Sequence, residues 1–134
     1  MDLATLERQH KEIEEVVLDI EQTINKNNIE GDAAHIAKQI SMLAGKLRVH
    51  LATEDKNMYP YLLEKGDEKL KRLATEYADE MGHISEAFMA YKDKFNTRTK
   101  IMNNPQGLIS ETKETFKVLG ERMAKEDTQL YKYL

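Results

Sequence analysis

Apolar residues recur at steps of three and four along nearly the whole chain, and nowhere do they alternate with polar residues over the length of a strand. Such a pattern restricts the chain to helices that bury one stripe each. The first stripe runs Leu3, Leu6, His10, Ile13, Val17, Ile20 and Ile24, and the run Asn25 to Gly31 ends it. The second runs Ile36, Ile40, Leu43, Leu47, His50, Glu54, Met58 and Tyr61 or Leu62. Pro60 is expected to bend or end this helix, because proline lacks a backbone donor and crowds the preceding turn. Gly66 and Asp67 predict a turn followed by an N-cap. The third stripe is Leu70, Leu73, Tyr77, Met81, Ile84, Phe88, Tyr91 and Phe95, with His83 flanking it, able to face inward, and Ala87 and Ala90 on the same side. A loop from Asn96 closes with Asn104 as the next N-cap and Pro105 at the first helical position. The last stripe is Leu108, Thr112, Thr115 or Phe116, Leu119, Arg122, Glu126, Leu130 and Tyr133. Four helices with short connections predict an all-α protein, an antiparallel up-down-up-down four-helix bundle that forms a single domain over 1–134.

The same stripes carry residues that a bundle core should reject. His10, His50, Glu54, Arg122 and Glu126 all fall on inward positions, with His83 at the margin. A buried carboxylate without a partner costs several kcal/mol and tends to protonate, so two of them imply pairing or a bound cation. His50 and Glu54 lie one turn apart on one face and can reach a single ion. In an up-down bundle His10 and Glu126 lie at similar heights, and His50 and His83 lie near that level. Two stretches repeat this chemistry, HLATEDKNMYPYL from His50 to Leu62 and RMAKEDTQLYKYL from Arg122 to Leu134. They align Glu54 with Glu126, Asp55 with Asp127, Tyr59 with Tyr131 and His50 with Arg122. Tyr59, Tyr61, Tyr131 and Tyr133 are read as packing residues whose hydroxyls reach water. His35 lies roughly 22 Å along the helix from His50 and is read as a residue outside any site.

Composition removes several alternatives. There is no cysteine, which excludes disulfides, zinc-thiolate sites, iron-sulfur clusters and thiol nucleophiles. The net charge is -4 and the basic residues are interspersed with acidic ones, so nucleic acid is not an expected partner. No apolar run approaches the roughly 20 residues of a membrane span. The first residues lack the basic-then-apolar order of a signal peptide, and a soluble cytoplasmic protein is the expectation.

The order His10, His50-x-x-x-Glu54, His83, Glu126 resembles the hemerythrin-like, or HHE cation-binding, domain family over essentially the whole chain. The most specific part is HLATEDKNMYPYL, with its His-x-x-x-Glu-Asp core followed by an aromatic and a proline. The resemblance implies a bundle holding a non-heme di-iron centre. It makes Glu54 and Glu126 the bridging carboxylates, assigns His10 and His50 to one iron, and assigns His83 to the other. The family's fifth histidine falls on Arg122, which cannot coordinate. Arg122 is therefore placed beside the metal rather than on it, and Glu80, three residues before His83, is a further candidate ligand. Three outcomes stay open: one metal, two metals with Glu80 recruited, or a metal-free bundle in which Arg122 replaces the second cation.

The function implied is non-heme iron binding, either to bind or sense a small ligand such as oxygen or nitric oxide or to hold iron. The competing class is a metal-free structural or regulatory bundle in which Arg122 pairs with Glu54 and Glu126. An iron enzyme that activates oxygen or peroxide is a third reading.

Overall fold

The computed structural model describes residues 3–134, and these are helical almost throughout, with no strand among them. Four long helices dominate: α1 Leu3–Asn25, α2 Ile29–Thr53, α4 Glu68–Phe95 and α6 Pro105–Lys125. Two short ones stand between them, α3 Tyr59–Lys65 and α5 Arg98–Asn103. Helix α1 packs on α2, α2 on α4, α4 on α6, and α6 back on α1, which closes a ring around a common core. No helix among the described residues is long and apolar enough to cross a membrane.

Local signals explain most boundaries. Asp67 caps α4 by accepting a hydrogen bond from the Leu70 amide at 2.8 Å, and Asn104 caps α6 by accepting one from Gly107 at 3.0 Å. Pro105 follows in the first turn, where its missing N–H costs nothing. The first break is shorter than expected. Only residues 26–28 leave the helical path, Asn27 takes a left-handed φ of 59°, and Gly31 already lies inside α2. The loop after α4 also differs, because Thr97 caps one extra helical turn, α5, which buries Ile101 against the core.

The departure that matters most lies inside the repeats. Glu54–Met58 and Glu126–Leu130 are π-helical turns, each inserted where an α-helix was expected to run on. A π turn bonds i to i+5, so it brings a residue five positions on to the face of its first residue. Tyr59 therefore follows Glu54 inward and Tyr131 follows Glu126, while Tyr133, the inward residue under α-periodicity, is exposed. Pro60 does not end the helix. It sits in the first turn of α3, which continues to Lys65.

Most of the expected core is buried, from Leu6, Ile13 and Ile20 on α1 to Phe116 and Leu119 on α6. Small shifts occur at the edges of the stripes: Val16 is buried in place of Val17, and Ala87 and Ala90 are exposed. Two apolar clusters result, a large one along the four long helices and a smaller one formed by Leu6, Met58, Leu62, Ala74, Leu130 and neighbours. The polar residues that interrupt the stripes, His10, His50, Glu54 and Glu126, lie along the helices between residues of the two clusters.

Candidate metal centre

Three chain segments deliver four buried ligand-type side chains to one point. His10 comes from the second turn of α1, His50 from the end of α2, and Glu54 and Glu126 from the first residues of the two π turns. One ligand atom from each of the four lies within 4.8 Å of all the others. The histidine nitrogens face the carboxylates: His10 Nε2 is 3.3 Å from Glu126 Oε1, and His50 Nε2 is 3.4 Å from Glu54 Oε2 and 3.9 Å from Glu126 Oε1. Both glutamates are 0 % exposed. Glu54 Oε1, both Glu126 carboxylate oxygens and His50 Nε2 nevertheless lack any hydrogen-bond partner. Buried polar atoms are almost always satisfied, so orphaned atoms on three of four converging ligand-type residues point to the donor set a cation needs. Two imidazoles and two carboxylates suit a divalent first-row ion such as iron.

Neighbouring residues fix how these ligands point. The Gln9 side-chain carbonyl accepts a hydrogen bond from His50 Nδ1 at 2.8 Å, and Gln9 in turn donates to the Thr53 hydroxyl at 3.1 Å. Asp127 Oδ1 accepts from His10 Nδ1 at 2.9 Å. Each ring therefore presents Nε2 to the site, the usual way an outer carboxylate or amide orients a metal-binding histidine. Tyr131 completes the inner surface. Its hydroxyl donates to Glu54 Oε2 at 2.9 Å and lies 3.0 Å from His10 Nε2, while its ring stacks on His10 with centroids 5.0 Å apart. Replacing Asp127 by alanine is expected to lower metal affinity about 10- to 100-fold without displacing a ligand. Metal-binding titration of the variant checks this.

Electrostatics point the same way. Burial works against the His50 cation, but the facing Glu126 and Glu54 carboxylates outweigh it and raise its pKa to about 9. Burial raises Glu54 to about 7, with Glu126 adding like-charge repulsion. Glu126 moves down instead, since His10 and His50 outweigh its burial. Burial and both glutamates push Tyr131 far above the usual phenol range, so its hydroxyl keeps its proton unless a cation intervenes. A group whose folded pKa is raised stabilises the fold below its unfolded pKa and loses that contribution as pH rises through the folded one. The metal-free protein should thus lose stability as pH climbs from 4.5 to about 9, first through Glu54 and then through His50. Metal competes with those protons, and its affinity should climb over the same range. Thermal melts with and without metal between pH 5 and 9 test both signs.

Two expected ligands are not brought to the cluster. His83 does not face inward: its side chain is 75 % exposed and sits 4.0 Å from Asp79 on the outer face of α4. The reason is angular. Met81 is buried on α4, and two further residues carry His83 about 200° around the helix, onto the opposite side. His83→Ala is accordingly expected to leave metal content unchanged, as elemental analysis would show. Glu80 is half exposed and engages Arg122 instead.

Arg122 is buried at 5 % exposure, pairs with Glu80, and lays its guanidinium over the Tyr77 ring at 4.3 Å. The expectation that it pairs with Glu54 or Glu126 is corrected. Its ion partner lies on α4, and its Nε and Nη1 are unpartnered. Tyr77 is tied to the second π turn through a hydrogen bond from its hydroxyl to Gln129. His35, as anticipated, lies outside the site and contacts Asp19 at 2.8 Å.

Sequence reasoning missed Gln9, Asp127 and Tyr131. A signal for the last was present, since Glu-Asp-x-x-x-Tyr occurs in both repeats with the same five-residue step. In comparisons with known proteins, the model of the Hemerythrin HHE cation binding domain matches residues 1–134. No curated protein and no solved structure matches the chain.

Proposed function

The chain belongs to the hemerythrin HHE cation-binding domain family, and on that footing we propose that it is a non-heme iron protein holding one iron ion between its helices. The four long helices are taken as the family's antiparallel up-down-up-down bundle, a reading supported by the closed ring of helix contacts. The observation that carries the proposal is the convergence of buried His10, His50, Glu54 and Glu126 within 4.8 Å, with orphaned donor atoms on the last three. His10 and His50 would bind through Nε2, and the two glutamates would neutralise a divalent ion without residual charge. Iron bound there would offer a position for a small ligand such as dioxygen or nitric oxide.

The chain's own residues shape what such a ligand would meet. Asp127 and Gln9 hold the two imidazoles in place, Tyr131 holds a hydroxyl proton against Glu54, and Arg122 is a buried cation held by Glu80 over the Tyr77 ring. With His83 outside and Arg122, which cannot coordinate, in the sequence place of a further histidine, the reading favours one ion over two. The metal-free alternative, in which Arg122 neutralises the glutamates, loses its support because that arginine pairs with Glu80.

Metal analysis after anaerobic purification tests the proposal. About one iron per chain, with nitric oxide binding in the ferrous form, is the result expected. A protein that retains no iron on loading would overturn it.

A further inference from the structure

We propose that Tyr131 is itself a ligand, supplying its side-chain oxygen to the same ion as His10, His50, Glu54 and Glu126. This rests on the metal-site reading above and extends it from four protein donors to five. Its hydroxyl oxygen lies 2.9 Å from Glu54 Oε2 and 3.0 Å from His10 Nε2, closer than the four ligand atoms lie to one another across the imidazole–carboxylate pairs. Metal–nitrogen and metal–oxygen bonds of about 2.0 to 2.2 Å place adjacent donors of an octahedral ion roughly 2.9 Å apart. The tyrosine oxygen therefore already stands at the spacing of a neighbouring donor.

Hydrogen bonding leaves a gap there that a cation fits. His10 turns Nε2 toward both the tyrosine hydroxyl at 3.0 Å and Glu126 Oε1 at 3.3 Å; in a neutral ring with Asp127 accepting from Nδ1 that nitrogen is a lone pair, and the tyrosine hydroxyl then has one proton for two acceptors. With His10 neutral, donation to Glu54 leaves the oxygen and the His10 nitrogen facing each other without a hydrogen between them. The ring cannot swing away, because it is stacked on His10 and only 3 % exposed.

The π turn accounts for the placement. Its five-residue step sets Glu126 and Tyr131 on one face, and the matching turn does the same for Glu54 and Tyr59. The two copies then diverge. Tyr59 is also buried, yet its hydroxyl has no hydrogen-bond partner, whereas the Tyr131 hydroxyl meets Glu54 and His10. Among the described residues, only the second copy's tyrosine makes hydrogen-bond contact with the cluster.

Charge identifies the ion that benefits. Two carboxylates balance a divalent cation, and a phenolate adds the third negative charge that a trivalent one needs. Coordination exchanges the O–H bond for an oxygen–metal bond, the proton leaves to solvent, and no electron moves. The preferred guest of the five-donor set is therefore a hard trivalent ion, ferric iron among them.

The experiment loads the chain with ferrous iron anaerobically, oxidises it with ferricyanide, and measures iron per chain, visible absorption and resonance Raman spectra. Wild type and Tyr59→Phe should both gain a phenolate-to-iron charge-transfer band on oxidation, with enhanced tyrosine ring modes. Tyr131→Phe should keep its iron and lose at least nine-tenths of that absorbance per iron. Iron bound without the band, a band that survives in Tyr131→Phe, or one that vanishes in Tyr59→Phe would each overturn the ligand assignment while leaving the metal site standing. No iron bound in wild type would overturn the site and the tyrosine ligand together.

Discussion

Glu54→Gln should reduce bound iron from about one per chain to below a tenth of that, while making the metal-free protein more stable at alkaline pH. The first effect follows from the donor count. Glutamine keeps the volume and can still accept the Tyr131 hydrogen bond now made to Glu54 Oε2, but it removes one of two anionic charges facing the ion. A neutral amide oxygen is a far weaker donor for a hard cation. The second effect follows from the cost of burial. Glu54 ionises only near pH 7 in the fold against an ordinary value of 4.5, so at pH 8 its charged form lowers stability by on the order of 3 kcal/mol. The variant lacks that penalty. Its metal-free melting temperature should exceed the wild type's by roughly 5 to 10 °C at pH 8, and the gain should shrink as pH falls towards 4.5. A variant that retains its iron, or that melts lower at every pH, would remove Glu54 from the centre of this site.

That opposition between stability and binding also explains how much of the site was legible in the sequence. Polar residues inside an apolar stripe are visible to periodicity alone, and His10, His50, Glu54, Arg122 and Glu126 are all buried as the stripes require. The N-caps at Asp67 and Asn104 were readable because a short polar side chain before a helical run has one obvious task.

What failed did so where the 3.6-residue period fails. A π turn slips the register by one residue, so the stripe through Glu126 and Leu130 continues to Tyr131 and not to Tyr133. The error at His83 is of another kind. It lies beside the buried stripe of α4, and a resemblance to a ligand pattern favoured turning it inward, although Met81 two residues earlier already claims that side of the helix. Gln9 and Asp127 were missed because residues that orient ligands carry no spacing rule of their own. They become visible only once the imidazole they hold has been placed.

Arg122→His is the substitution expected to change the stoichiometry. Arg122 lies one turn before Glu126, in the place that His50 holds relative to Glu54, and its burial shows that the scaffold directs this side chain inward. As arginine it is a permanent cation. Its pairing with Glu80 offsets part of that charge, and the remainder would oppose a second cation nearby. Histidine removes that repulsion, supplies a neutral nitrogen, and frees Glu80 from its ion pair. Glu54 and Glu126 each have a carboxylate oxygen without a partner to share with a second ion. Bound iron should then rise from about one per chain towards two, with the second ion held more weakly because His83 remains outside. Arg122→Gln separates the two contributions, since it removes the charge but adds no nitrogen donor, and it should stay near one. Two irons per chain in the wild type would show that the guanidinium does not exclude the second ion, and equal loading of the histidine and glutamine variants would show that charge alone had excluded it.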